Sequence, residues 1–268
     1  MQQLKRGEFF GLTNNTIELN GLTLTDTIYT HDRVDWHYHE NAYFTFILQD
    51  IVIEGNKNEI YKCTPGTLLL HNWEEPHYNI KPEGYTRGFH IEIERDWLEI
   101  NGISESIERG SINISDPESK LNMYKIFRAS KTDYALDISI QSLLLQIFSG
   151  IQQGNMKIYQ RKPNWVDRID EILRSDLTGC VSLEYLSKMV DIHPVHLSRY
   201  FPKYFHCGIG EYIKKLRVEK ALSLMVMKNK TLSEIAYECG FSDQSHFIRC
   251  FKEITEVNPL AYRNVLLK

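Results

Sequence analysis

The 268-residue chain has no apolar run approaching the roughly 18 residues of a membrane span, and its first residues, MQQLKRGEFFGLTNN, lack the apolar core of a signal peptide. Cysteine is sparse. The five, Cys63, Cys180, Cys207, Cys239 and Cys250, are scattered, odd in number, and show neither a Cys-x-x-Cys spacing nor a His at zinc-finger distance. That pattern excludes a disulfide framework and implies reduced thiols in a soluble cytoplasmic protein. A Gly-rich phosphate loop, a Ser-His-Asp order and a paired-carboxylate motif are also missing, so the chain is not expected to be an enzyme and no cofactor is assigned to it.

What is present divides along the chain. The length suits about two domains, each able to bury a core. Residues 1–115 carry 9 Lys and Arg against 18 Asp and Glu, whereas residues 161–268 carry 17 against 13, so the basic end is the candidate for a polyanion. Short β-rich runs fill the first 115 residues: LTLTDTIYT, NAYFTFILQ, DIVIEGN, NEIYKC, GTLLLHN and RGFHIEIE, separated by Gly, Asn, Asp and Pro. From about residue 118 the period becomes helical, with Ile140, Leu143, Leu144, Ile147, Phe148 and Ile151 on one face. QQGNMKIYQRKPN reads as a linker, and Asn164 as the cap of the next helix. The expected fold class is therefore α+β: a β domain over 1–115, a helical dimerisation or linker segment over 116–160, and an all-α domain over 161–268.

The all-α part holds an internal repeat. At an offset of 50, Arg199 matches Arg249, Phe201 matches Phe251, Tyr212 matches Tyr262, and Leu197 aligns with Phe247. Each copy reads as helix, tight turn, helix. Thr231 and Glu234 have capping-box spacing, Gly240 suits a left-handed turn, and Ser242 or Asp243 caps QSHFIRCFK; Ser182 caps LEYLSKMV, and Pro194 opens VHLSRYFPKYF. Two helix-turn-helix units follow, the second helix of each sized for a DNA major groove. Val195, Ser198, Arg199, Gln244, Ser245 and Arg249 fall on the outward faces near the helix starts. Arg can pair bidentately with guanine and Gln with adenine, so these types suit base reading; for a single exposed Arg, a solvated face or a phosphate contact is the commoner role.

From SLEYLSKMVDIHPVHLSRYF through IAYECGFSDQSHFIRCFK to NPLAYR, about residues 166–265, the chain resembles the DNA-binding domain of AraC/XylS-type transcription regulators. The resemblance implies seven helices, a long connecting helix near Glu211 to Met227, two recognition helices in successive major grooves about 34 Å apart, and promoter DNA and RNA polymerase as partners. Three positions depart from the family pattern. Asp191 and Glu256 replace glycines and His193 replaces a capping serine, which makes His193 a poorer cap.

Many such regulators carry a cupin-like β-barrel sensor, and WHYHENAYFTFIL with CTPGTLLLHNWEEPHYN resembles the two halves of a cupin motif. His37 and His39, one residue apart, share a face if they lie on a strand. With His77 they fill three places of the metal-binding cupin pattern, but Tyr43 and Phe44 stand where its Glu belongs. Three histidines could still hold zinc or iron with an open position. The favoured expectation is a small organic effector, with His37, His39, Trp73 and His77 as its site and no metal assigned. Trp36, Tyr38, Tyr78, Tyr85, Arg33 and Arg87 are further candidates for the pocket wall. The chain thus reads as an effector-controlled regulator, a homodimer through the 140–151 stripe; the alternatives are a metal-dependent cupin enzyme fused to a DNA-binding domain and, for the stripe, packing on its own barrel.

Overall fold

The computed structural model describes residues 1–103, 111–132, 136–159, 163–179 and 181–268. They form two compact units, Met1–Gln152 and Gln153–Lys268. Cys180 and residues 160–162 of the expected linker lie outside the described residues.

The strands of the first unit are β1 (Gln2–Leu4), β2 (Leu12–Leu19), β3 (Leu22–Ile28), β4 (Arg33–His39), β5 (Ala42–Gln49), β6 (Val52–Asn56), β7 (Ile60–Cys63), β8 (Leu68–His71), β9 (His77–Ile80), β10 (Arg87–Ile93) and β11 (Ile112–Asn113). They make a five-stranded sheet, β1-β4-β9-β6-β7, and a six-stranded sheet, β11-β8-β5-β10-β3-β2. A core of Ile47, Val52, Cys63 and Leu69 joins strands of both sheets.

The alternation along β5 and β10 decides what the unit encloses. Register pairs Thr45 with His90 and Tyr43 with Glu92 across these antiparallel neighbours, so these four side chains share one face. Phe44, Phe46, Phe89 and Ile91 fall on the other face and are fully or nearly fully buried. The short helix α1 (Arg95–Ile100) follows β10, and that second face is covered by α2 (Pro117–Lys131) and α3 (Leu136–Tyr159). Phe46 meets Tyr124, Phe89 meets Phe127 and Phe44 meets Phe148, with ring centroids 4.7, 5.2 and 5.4 Å apart. A buried cluster reinforces the dock: Arg87 forks onto Asp26 at 2.7 and 2.6 Å, and Lys131 near the end of α2 donates to the same carboxylate.

Two expectations are corrected here. Of the stripe Ile140, Leu143, Ile147 and Ile151, read as a dimer face, Ile140, Ile147 and Ile151 are buried inside their own unit and Leu143 is half-buried, because the outer face of the six-stranded sheet is apolar and needs a cover. The residues read as a linker from 152 continue α3 as far as Tyr159.

The second unit contains seven helices among the described residues: α4 (Asn164–Ser175), α5 (Leu183–Val190), α6 (Pro194–Phe205), α7 (Ile209–Met225), α8 (Leu232–Glu238), α9 (Gln244–Thr255) and α10 (Pro259–Leu266). Asn164 is the first helical residue rather than the cap; Pro163 takes the cap position without a side-chain bond. Ser182 caps α5 through Tyr185 N–H, Thr231 and Glu234 close a capping box on α8, and Asp243 rather than Ser242 caps α9. His193 does cap α6, through a 3.3 Å bond from Val195 N–H. The repeat shows in the core, where Phe201 meets Tyr212 at 5.8 Å and Phe251 meets Tyr262 at 5.6 Å, both edge-on.

Candidate functional site

β4 carries His37 and His39 to the interior, both 2% exposed, while Trp36 between Asp35 and His37 is 39% exposed. His77, at the start of β9, is the cross-strand partner of His37. The ring centroids of His37 and His77 lie 4.1 Å apart, and His39 is 5.7 Å from each. The three expected histidines therefore converge.

Two further histidines join them. His71 pairs with Tyr43 across β8 and β5, its ring stacked on Tyr43 at 4.4 Å. His90 lies against Phe9 at 3.9 Å and contacts Tyr29 Oη and Thr45 Oγ1 at 3.1 and 3.3 Å. Glu54 Oε1 is 3.2 Å from His71 Nε2, off the hydrogen-bond direction, and Glu92 Oε1 is 4.0 Å from His39 Nδ1.

The partners fix two of the rings. His37 Nδ1 sits 2.9 Å from the Asp35 carbonyl and His77 Nδ1 sits 3.1 Å from the Glu75 carbonyl. A carbonyl only accepts, so each Nδ1 carries the proton, and in the neutral ring the lone pair is on Nε2. His77 Nε2 accepts from the Tyr43 hydroxyl at 3.0 Å.

Burial keeps these rings uncharged. It pushes His77 and His90 down to about 3, aided for His77 by its neighbour His37. His39 and His71 are held well below the usual imidazole range by burial and by the surrounding rings. Burial also raises Glu54 to about 8 against the hydrogen bond from Asn79, and Glu92 to about 7 against the Gly7 N–H.

The cavity left among these groups measures about 40 Å³. Phe9, Phe10, Tyr29 and Tyr43 supply its aromatic wall. The aromatics named from sequence mostly lie elsewhere: Trp36 packs on Tyr78 away from the cavity, Tyr85 is 49% exposed, and Trp73 stacks under Arg95. Arg87 is engaged with Asp26, and Arg33 pairs with Asp35 at the surface.

On the second unit, Leu197, Phe201, Phe247 and Phe251 are fully buried. Val195, Ser198 and Arg199 on α6, and Gln244, Ser245 and Arg249 on α9, are exposed. Other arginines of the unit are committed to structure: Arg217 donates to the Leu177 carbonyl, and Arg263 to those of Lys230 and Met227. Gln244 Oε1 accepts from Ser233 at 2.7 Å, a bond it must exchange to read adenine bidentately.

Residues 186–264 match the helix-turn-helix domain family. Over 101 residues the chain is 32% identical to the bifunctional transcriptional activator/DNA repair enzyme AdaA of Bacillus subtilis, 38% of this chain and 48% of that protein. It is 21% identical over 255 residues, 85% of the chain and 86% of the relative, to the uncharacterized regulator YdeC of the same organism. The chain thus spans about half the length of AdaA. A crystal structure of an apo ToxT variant from Vibrio cholerae aligns over 92% of this chain and 98% of that one, at 13% identity and a TM-score of 0.44. The match runs from α5 to α10 and takes in both helix-turn-helix units. No helix among the described residues is long and apolar enough to cross a membrane.

Proposed function

We propose that the chain is a transcription regulator of the AraC type that reads promoter DNA with α6 and α9 and is controlled by a small ligand bound in the N-terminal barrel. The observation that carries this reading is the duplicated reader. Arg199 and Arg249 occupy the same exposed place on two matched helices, over cores built from the same aromatic pairs. Val195, Ser198, Gln244 and Ser245 complete the reading faces. RNA polymerase is the partner of the bound regulator, and the compartment that holds the DNA, the cytoplasm, is where it works. A homodimer belongs to the reading too, through a face other than the α3 stripe, which the barrel already covers.

His37, His39 and His77 are the ligand-facing groups of the sensor; Trp73 is withdrawn from the site because it does not line the cavity. The enzyme alternative loses support from the cavity's size, about 40 Å³ against the roughly 300–1,000 Å³ of ordinary small-molecule sites. The test is binding of the full chain to its own upstream DNA and to random duplex across a salt series. The expected result is a sequence preference together with a steep fall of affinity with salt, as phosphate contacts release counterions. Equal binding to both DNAs at every salt concentration would defeat the proposal.

A further inference from the structure

We propose that the N-terminal unit binds a flat, uncharged heteroaromatic ring, with a hydrogen-bond donor and an acceptor on its edge, in the slot that Phe9 fills against His90. The proposal rests on the reading of this cavity as the sensor's ligand site and names the chemical class of its occupant.

The segment that joins β1 to β2 carries Phe9 and Phe10 to the cavity wall. Phe9 is only half-buried, yet its ring lies flat on His90, with centroids 3.9 Å apart and planes 11° from parallel. His39 is 4.8 Å away at a tilt of 33°, and Tyr43 meets the ring edge-on at 5.6 Å. Stacked and edge-to-face contacts are the arrangements that aromatic rings prefer. The protein's own side chain thus shows the shape that the slot accepts, a flat ring on an imidazole with a phenol at its border. With Phe9 swung out, its space and the adjoining cavity of about 40 Å³ together take a fused pair of rings.

Phe9 does not pair the polar atoms around it. Thr25 lies opposite His90 across β3 and β10, and Thr27 opposite Gly88, so both hydroxyls are on the His90 face of the sheet. Thr25 Oγ1, Thr27 Oγ1, His39 Nδ1 and Glu92 Oε1 are buried without a hydrogen-bond partner, on side chains at most 2% exposed. Buried polar atoms are ordinarily paired, and each one left unpaired carries the full cost of its desolvation. A phenyl or alkyl group leaves all four in that state. A ring with an N–H and a lone pair on its edge serves them, because the hydroxyls give and take hydrogen bonds and the carboxyl oxygen accepts one. An anion fits poorly. Glu54 and Glu92 are both close to the slot, Lys81 at the cavity wall gives its ammonium to the carbonyls of Pro82 and Gly84, and Arg87 is held by Asp26.

The experiment titrates the full chain, with a chelator present, against three probes: benzimidazole, indene of the same flat shape without a polar edge, and myo-inositol, polar but not flat. Saturable binding of one benzimidazole per chain is expected, about tenfold or more tighter than indene, with no saturation by myo-inositol. Thr25→Val keeps the shape and removes the hydroxyl, so it should weaken benzimidazole about tenfold and leave indene unchanged. Phe9→Leu cannot stack on His90 and should tighten benzimidazole several-fold; it keeps the test open if Thr25→Val fails to fold. Nuclear Overhauser contacts between benzimidazole and the His90 ring are expected in the wild-type chain. No saturable benzimidazole binding in either the wild-type chain or Phe9→Leu, equal affinity for indene, or contacts that bypass His90 would overturn the proposal. Promoter binding by the same protein separates the two failures: sequence preference without benzimidazole binding removes only this ligand class, whereas loss of sequence preference removes the regulator reading.

Discussion

Glu256 ends α9 at φ 64° and His206 ends α6 at φ 60°, fifty residues earlier. Both are left-handed, a region that costs a side-chain-bearing residue roughly 1–2 kcal/mol and glycine little. Glu256→Gly is therefore expected to raise stability by about 1 kcal/mol in denaturant unfolding, after the entropy that glycine loses on folding; unchanged or lower stability would contradict it. Asp191, at φ 53°, shows the same substitution of a turn glycine in the first unit, by a residue that tolerates the conformation better. Inside the barrel the residue-scale chemistry is set by burial. Glu54 holds its proton up to about 8 in the folded chain, against 4.5 ordinarily. Its contribution to stability is thus complete below pH 4.5 and lost as pH rises toward 8, by at most about 1.4 kcal/mol per pH unit. His77 and His90, lowered from 6.5 to about 3, act in the opposite direction and lose stability as pH falls from 6.5. Glu54→Gln should flatten the alkaline decline in unfolding measured from pH 5 to 8, and identical slopes would show that Glu54 is ionised when folded. His37, His39 and His77 were legible as a set because the His-x-His spacing fixes a face. His90 and Glu54, which line the cavity, and His71, which packs on His77 and Tyr43 behind it, were not, since strand register brings them there across tens of residues. The alternation in GFHIEI, with His90 and Glu92 set between apolar neighbours, was the available signal.

At the scale of elements, the same two-sided burial explains α3. The six-stranded sheet presents Phe44, Phe46 and Phe89 away from the cavity, and Ile140, Leu144, Ile147 and Phe148 cover that face. An apolar stripe in sequence does not say what covers it, and here the cover is intramolecular. Ile147→Asp buries a charge without a partner and should cost the N-terminal unit at least about 3 kcal/mol. A dimer that dissociates in sedimentation with its melting temperature unchanged would instead restore the stripe as an interface. The helix-turn-helix elements were the most legible, because caps and turns are local: Ser182, Pro194, Thr231, Glu234 and Gly240 all take the positions their chemistry predicts. Strands β2, β4 and β9 were harder, since LTNNTIEL and HYNI carry little apolar alternation of their own and depend on their neighbours.

At the scale of the whole molecule, the division of labour follows the charge. The acidic half encloses buried histidines, and the basic half carries a duplicated helix-turn-helix with exposed arginines. The central claim is that both copies read bases. It is tested most directly by base-resolved footprinting and affinity measurements of Arg199→Ala and Arg249→Ala on the chain's own upstream DNA. Each substitution is expected to cost about 1–3 kcal/mol on that site and to relax base preference at its own position, the two positions about one helical turn apart. An equal loss of affinity on specific and random DNA, or no loss in either variant, would contradict the account.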